Sequence, residues 1–207
     1  MPLDRWNRLD PAERRAILDA AAGQFAADGF HGASINRILK EAGLSKGAAY
    51  YYFEDKEDLF LTLVRARVGA LVDAALGDEP WPAKDFWGWC DRLSMQVFGA
   101  LMADPQSWAL AKELYTMGPG ARSPRVAAMW AEVLDWTEQL LTRGQAMGAV
   151  RDDLPVSLLA AVGLGVGQAL DTWFVTHLGE PAAAPEDAAA LMDGSMALFV
   201  RLLAPDR

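Results

Sequence analysis

One cysteine, Cys90, and two histidines, His31 and His177, are all that this 207-residue chain holds of the side chains most used for metal binding and nucleophilic catalysis. A lone thiol cannot form an intrachain disulfide, so a reducing compartment, the cytoplasm, is the expectation. The histidines fall in different predicted domains. There is no nucleophile elbow, phosphate loop or metal-ligand spacing, so no enzymatic activity, metal or cofactor is expected. No cationic neighbourhood that would activate Cys90 is visible, and a buried apolar role is expected for it. Strand signals are equally scarce, because β-branched runs are short and no period-two alternation lasts beyond a few residues. The first ten residues are polar and read as no signal peptide. The longest apolar run, Leu158 to Leu170, contains Gln168 and falls short of the roughly 20 residues a bilayer requires, so no membrane partner is expected.

Positive charge is also in deficit. The formal net charge is −9, which on its own argues against nucleic acid, whose phosphates need cations. The deficit is uneven, however. Residues 1–58 carry 8 Lys and Arg against 10 Asp and Glu, whereas the remainder carries 11 against 18. Any DNA-binding surface must therefore be a local patch near the N-terminus.

What the chain has in quantity is helix-forming residues, with 52% of positions hydrophobic, and its punctuation predicts an all-α fold of about nine helices. Asp10-Pro11-Ala12-Glu13 supplies an N-cap, a proline at the first helical position and a capping-box acid. Ile17, Leu18, Ala21, Ala22 and Phe25 follow at helical spacing, and Asp28-Gly29 ends the run. Ser34 caps a short second helix with Ile35, Ile38, Leu39 and Ala42 inward. Ser45 caps a short third helix, and Asp55 caps a long fourth with Leu59, Phe60, Leu63, Val64, Val68, Leu71 and Val72 on its buried side. Proline- and glycine-rich breaks then delimit five helices, roughly 83–102, 105–117, 124–147, 155–178 and 185–203.

Two short helices joined by Ala42-Gly43-Leu44-Ser45 form helix-turn-helix punctuation: glycine suits the left-handed turn, Leu44 plugs the gap, and Ser45 starts the helix that would enter a major groove. Around this turn stand Arg15-Ala16-Ile17-Leu18-Asp19-Ala20-Ala21, then Phe25-Ala26-Ala27-Asp28-Gly29-Phe30-His31-Gly32-Ala33-Ser34. Next come Ala42 to Gly47, Tyr50-Tyr51-Tyr52-Phe53 and Lys56-Glu57-Asp58-Leu59. In this order, over residues 11–64, the chain resembles the DNA-binding domain of the TetR family. One position departs from the family pattern, since Arg37 stands where the second helix often carries an acid.

The resemblance implies an N-terminal three-helix DNA-binding domain, residues 1–55, and a C-terminal ligand-binding and dimerisation domain, residues 56–207. It implies base contacts from Ser45, Lys46, Gly47, Ala48 and Asn36. Lys46 can donate to guanine and Asn36 can pair with adenine, while Ala48 can touch a thymine methyl. Tyr51, Tyr52 and Lys56 would bind phosphates, with Arg37 or Lys40 adding a cation. Of the aromatic run, Tyr50 and Phe53 are expected mostly inside, although Tyr50 stands among the candidate DNA-binding residues. Arg5 and Arg8 are expected in an untethered tail, with a minor-groove arm as the alternative.

Seven of the eight tryptophans follow residue 80, accompanied by several methionines, which fits an adaptable cavity for a small apolar or aromatic effector. Trp89, Trp108, Tyr115, Trp130 and Trp173 are the candidate lining. Large core residues are the plainer reading for any one of them. Glu113 or Asp171 could balance a cationic ligand. Residues 158–174 are apolar on nearly every side, so something must cover them. Leu159, Gly163, Gly167 and Leu170, with Leu191, Ser195, Leu198 and Phe199 of the last helix, form the candidate interface of a homodimer. Burial against the chain's own helices is the alternative. The function expected is a ligand-responsive regulator, a repressor by analogy with the family, that binds a near-palindromic stretch of double-stranded DNA as a dimer. The rival reading is a DNA binder of the same fold that is constitutive or controlled by a protein partner.

Overall fold

The computed structural model describes residues 4–44, 49–77, 81–82, 84–118, 122–177 and 188–205. Among these residues every regular element is helical: α1 (Asp4–Asn7), α2 (Pro11–Gly32), α3 (Ile35–Glu41), α4 (Ala49–Tyr52), α5 (Lys56–Leu76), α6 (Phe86–Ala103), α7 (Pro105–Met117), α8 (Pro124–Ala146), α9 (Val156–His177) and α10 (Ala188–Leu203). The chain divides into two compact units, one of residues 1–71 with 104–116, the other of 72–103 with 117–207.

In the first unit Asp10, Pro11, Gly43 and Asp55 act where the sequence placed them. Asp10 Oδ1 accepts the Ala12 N–H at 2.8 Å, with Pro11 beginning α2. Helical geometry breaks at Gly29, whose φ of 67° an L-side chain adopts only under strain. Ser34 stands at the N-cap of α3, yet its side chain makes no capping bond. Its N–H donates instead to Gln24 Oε1 at 3.4 Å. After α3 the Gly43 N–H bonds to Lys40 O and the Leu44 N–H to Leu39 O, at 3.2 and 2.8 Å, with Gly43 at φ 74°. That is the Schellman arrangement, and it explains why glycine ends this helix. At α5, Asp55 Oδ1 accepts the Asp58 N–H at 2.8 Å, and Asp58 Oδ2 returns the favour to the Glu54 N–H at 3.2 Å.

The core of this unit is Ile17, Ala21, Ala22 and Phe25 of α2, Ile38 and Leu39 of α3, and Leu59, Phe60, Leu63 and Val64 of α5. The rings of Phe25 and Phe30 each meet Phe60 edge-on, at 5.2 and 5.3 Å. Residues 58–64 of α5 are buried all round rather than on one stripe, taking in Asp58 and Thr62. Val68, Leu71 and Val72 are only half-buried. α7 belongs to this unit. Glu113 Oε1 accepts the Phe30 N–H at 3.1 Å, and Arg67 of α5 binds Asp19 of α2 at 2.7 Å and Asp104, which precedes α7, at 3.5 Å.

In the second unit α9 packs on α8, and α10 packs on α9 and α6. Phe86, Leu140, Leu141, Val150, Leu159, Ala160 and Leu203 form its buried centre. Ser123 caps α8 through the Val126 N–H, with Pro124 at the first helical position. The Trp87 Nε1–H donates to Ala149 O at 3.0 Å, and the Arg151 N–H to Leu203 O at 2.8 Å, closing the loop after α8 over the core. At Gly144 an added methyl would press on Val150 and come within 2.8 Å of the Phe86 ring.

Candidate DNA-binding surface and ligand cavity

Opposite the buried Ile38 and Leu39, α3 exposes Asn36, Arg37 and Lys40. Arg37 is not a free cation, because its Nη1 lies 3.0 Å from Asp28 Oδ2. This ion pair joins the end of α2 to α3 and accounts for arginine where the family pattern carries an acid. Ser45, Lys46, Gly47 and Ala48 lie outside the described residues, as does the side chain of Tyr50. In α4, Tyr51 is exposed and Tyr52 half-buried. Phe53 is buried, as its place at the end of the aromatic run predicted.

The N-terminus departs from its expectation. Arg5 and Arg8 do not sit in an untethered tail: Asp4–Asn7 is helical, and Trp6 is buried with its ring 4.9 Å from Phe53 and 6.4 Å from Tyr52. The Arg5 guanidinium consequently lies 4.4 Å above the Tyr51 ring, an attraction between cation and ring face. A lone tryptophan in a polar stretch was the available signal for this anchor.

Lys56 lies over the Phe30 ring at 5.0 Å and donates to His31 O and Ala33 O at 2.9 and 3.1 Å. Two of its three ammonium hydrogens are thereby spent on the α2–α3 corner. The same corner receives Glu113 of α7 and Gln24 of α2. The Glu113 Oε1 is therefore committed to a backbone N–H of the first unit. His31 is exposed, its ring edge-on to Phe30 at 5.4 Å. No spacing rule finds Glu113, which lies 83 positions from Phe30.

The five aromatic residues expected around a ligand are divided between the two units. Trp108 and Tyr115 belong to α7 in the first unit. Trp89, Trp130 and Trp173 belong to the second. Trp130 is buried in α8, while Trp173 is 43% exposed and stacked on His177 at 4.6 Å. The second unit carries a half-open cavity of about 200 Å³ whose lining includes Trp87, Cys90 and Ser94 of α6, Thr137 of α8, Gly167 of α9 and Phe199 of α10. Burial pushes the Cys90 thiol up to about 12, with Asp85 and Asp91 adding to the shift, so it stays an uncharged thiol at neutral pH.

The candidate interface residues also divide. Leu159 is buried, and methyls added at Gly163 and Gly167 would meet Leu203 and Phe199 at 3.5 and 3.6 Å. These glycines admit the chain's own α10. Phe199 lines the cavity, Leu170 and Ser195 are half-buried, and the Ser195 hydroxyl donates to Leu191 O. What remains outward is Leu158, Val162 and Trp173 of α9 with Leu191, Leu198 and Leu202 of α10, each about two-fifths to one-half exposed. The helix Val156–His177 is longer than its apolar run suggested, and by length and composition Val156–Phe174 could cross a membrane.

A short helix, a glycine turn closed by two backbone bonds, and a second short helix, all held on a three-phenylalanine core, define a helix-turn-helix DNA-binding domain. The sequence profile of the bacterial regulatory proteins of the tetR family matches residues 17–63, from the middle of α2 into α5. The HTH-type transcriptional repressor AcnR of Corynebacterium diphtheriae is 29% identical over 152 residues, 70% of this chain and 72% of that protein. A TetR family transcription regulator from Shewanella sp. PV-4 superposes with a TM-score of 0.69 at 27% identity, over 94% of this chain and 99% of the other. The regulator FadR of Bacillus subtilis, solved in complex with stearoyl-CoA, gives a TM-score of 0.69 over 90% and 97% of the two chains. Its 23% identity carries the fold alone. Residues 17–63 thus form a DNA-binding domain of the bacterial tetR regulatory family, and the chain as a whole is similar to transcriptional regulators built on it.

Proposed function

We propose that the protein is a cytoplasmic, effector-controlled repressor that binds a near-palindromic operator as a homodimer and releases it when a small apolar or aromatic molecule occupies the second unit. Residues 1–55 read the DNA, with Asn36 and the Ser45–Ala48 segment on bases and Tyr51, Tyr52 and the exposed cations on phosphates. Residues 56–207 bind the effector and the second copy. The observation that carries effector control is the apolar cavity framed by four helices of the second unit. Repression is supported by the relative AcnR, itself a repressor.

Dimerisation is supported by the outward apolar face of α9 and α10. A monomer has no reason to leave six large apolar side chains in water along two neighbouring helices. Lipid is the poorer cover, since Gln168 interrupts the run and the helix already packs on α8 and α10. A two-fold axis would set two recognition helices about 34–36 Å apart, one helical turn of DNA.

Control follows from linkage. An effector that binds the DNA-incompetent state a hundredfold better weakens operator binding by about 2.7 kcal/mol, and DNA weakens the effector by the same amount. The test is selection of binding sites from random DNA, followed by a salt series. A two-fold symmetric site, a steep salt dependence and loss of sequence preference in Lys46→Ala are expected. An asymmetric site, or binding indifferent to sequence in the wild type, overturns the reading.

A further inference from the structure

The cavity in the second unit also constrains the chemistry of what enters it. Its size is the first constraint. At about 200 Å³ it lies below the 300–1,000 Å³ of drug-sized sites and slightly above the 150 Å³ apolar cavity that holds benzene. One ring with a short substituent fills it.

Charge is the second constraint. Among the described lining residues none is ionisable at neutral pH except in principle Cys90, whose burial keeps it a neutral thiol. A carboxylate or phosphate placed there would lose its hydration with no cation to replace it.

The third constraint is the supply of hydrogen-bonding groups. The Trp87 Nε1–H is spent on Ala149 O, and the Thr137 hydroxyl hydrogen on Val133 O at 2.8 Å. Ser94 is left as the hydroxyl in the lining with a hydrogen to give. One turn along α9 from Leu164, which also lines the cavity, Gln168 holds a buried Nε2 without a partner. The Gln168 Nε2 is a buried donor without an acceptor, which is costly, and the half-buried Ser94 hydroxyl is a donor in the cavity wall.

We infer that this cavity takes a small uncharged molecule, about one aromatic ring in size, that carries a hydrogen-bond acceptor received by the Ser94 hydroxyl. The inference rests on the effector reading above and narrows it. Long-chain acyl-CoA is expected to bind poorly, because the cavity has no room for a full acyl chain and its described lining offers no cation to a phosphate.

The test uses three probes of one size, namely acetophenone, isopropylbenzene and benzoate, with stearoyl-CoA as the fourth. Binding to the full-length protein is followed by calorimetry and by the rise in Tm with probe concentration. Acetophenone is expected to bind about tenfold tighter than isopropylbenzene and at least a hundredfold tighter than benzoate. Ser94→Ala should erase the first preference while leaving isopropylbenzene unchanged, and Gly167→Val, which fills the space beside Phe199, should abolish both. If Gly167→Val fails to fold, the Ser94→Ala comparison still decides. Benzoate or stearoyl-CoA binding as well as acetophenone, or an acetophenone preference that survives in Ser94→Ala, overturns the inferred class. Operator release by stearoyl-CoA alone would leave the effector reading standing without that class. Acetophenone binding as expected but leaving operator affinity unmoved would support the site and defeat the effector reading.

Discussion

Leu198 of α10 keeps 43% of its surface in solvent although it lies one turn from Leu202 and two turns from Leu191, both similarly exposed. Full burial of a leucine is worth about 1.5–3 kcal/mol, so covering the remainder by a second copy contributes about 1 kcal/mol at each of two symmetric positions. Replacing it with aspartate removes that gain twice and sets two carboxylates into an apolar contact, at several kcal/mol more. Leu198→Asp is therefore expected to weaken dimerisation by about 4 kcal/mol or more, on the order of a thousandfold in Kd. Sedimentation across a concentration series reads this directly. Operator binding should fall with it, because a lone protomer reaches a single half-site. Val133→Asp on α8, 39% exposed in the wild type, is the control and should remain dimeric. A wild type that stays monomeric at high micromolar concentration, or a Val133→Asp protein that dissociates while Leu198→Asp does not, would refute the assignment of this face.

Removing the acceptor in Glu113→Ala leaves the Phe30 N–H without its partner, and operator affinity should drop several-fold with little change in helix content by circular dichroism; Glu113→Gln keeps an oxygen there and should bind near wild type. Gly144→Ala drives a methyl into the Phe86 ring and should cost about 1–3 kcal/mol in a urea titration. Gly23→Ala, mid-helix with open space around it, should instead stabilise by about 0.5–1 kcal/mol. For Asp104, burial works to raise the carboxyl's pKa, but the Ser107 hydroxyl, the Gln106 and Ser107 amides and Arg67 outweigh it and hold the group below the ordinary aspartate value. A depressed folded pKa adds stability above the unfolded value that is lost as pH falls through the folded one. Asp104→Asn should thus lower Tm at pH 7, and the gap from wild type should close below about pH 4.

Element boundaries were legible because they rest on local chemistry: Asp10 and Pro11 start α2, Gly43 ends α3 and Asp55 starts α5, each through bonds spanning a few residues. The helix-turn-helix was legible for the same reason, being a run of motifs in fixed order. Composition, by contrast, says little about where the rings lie. Tryptophan density pointed to Trp89, Trp108, Tyr115, Trp130 and Trp173, of which two belong to the first unit and Trp173 is 43% exposed. Whether a ring lines a cavity or fills a core depends on which helices meet, and helical spacing says only which side of one helix is apolar. The glycines of α9 show the same limit. Their small size correctly signalled close approach, but what they admit is the chain's own α10.

The α2–α3 corner carries this point furthest, because what holds it there comes from three distances in sequence. Gln24 reaches Ser34 ten positions on, Lys56 reaches His31 and Ala33 from α5, and Glu113 reaches Phe30 from α7. The first contact is within range of a pattern rule and the last is not. Yet the last ties α7 into the DNA-binding unit. The angle at which α3 leaves α2 sets where the recognition segment is presented, and Gly29, with its positive φ, permits the close approach that the Glu113 contact needs: a Cβ at this position would stand 2.8 Å from Glu113 Oε1. Any side chain at 29 would therefore strain the turn and displace the carboxylate together. The glycine that ends the first predicted helix is thus also a condition for the posture of the DNA-reading surface.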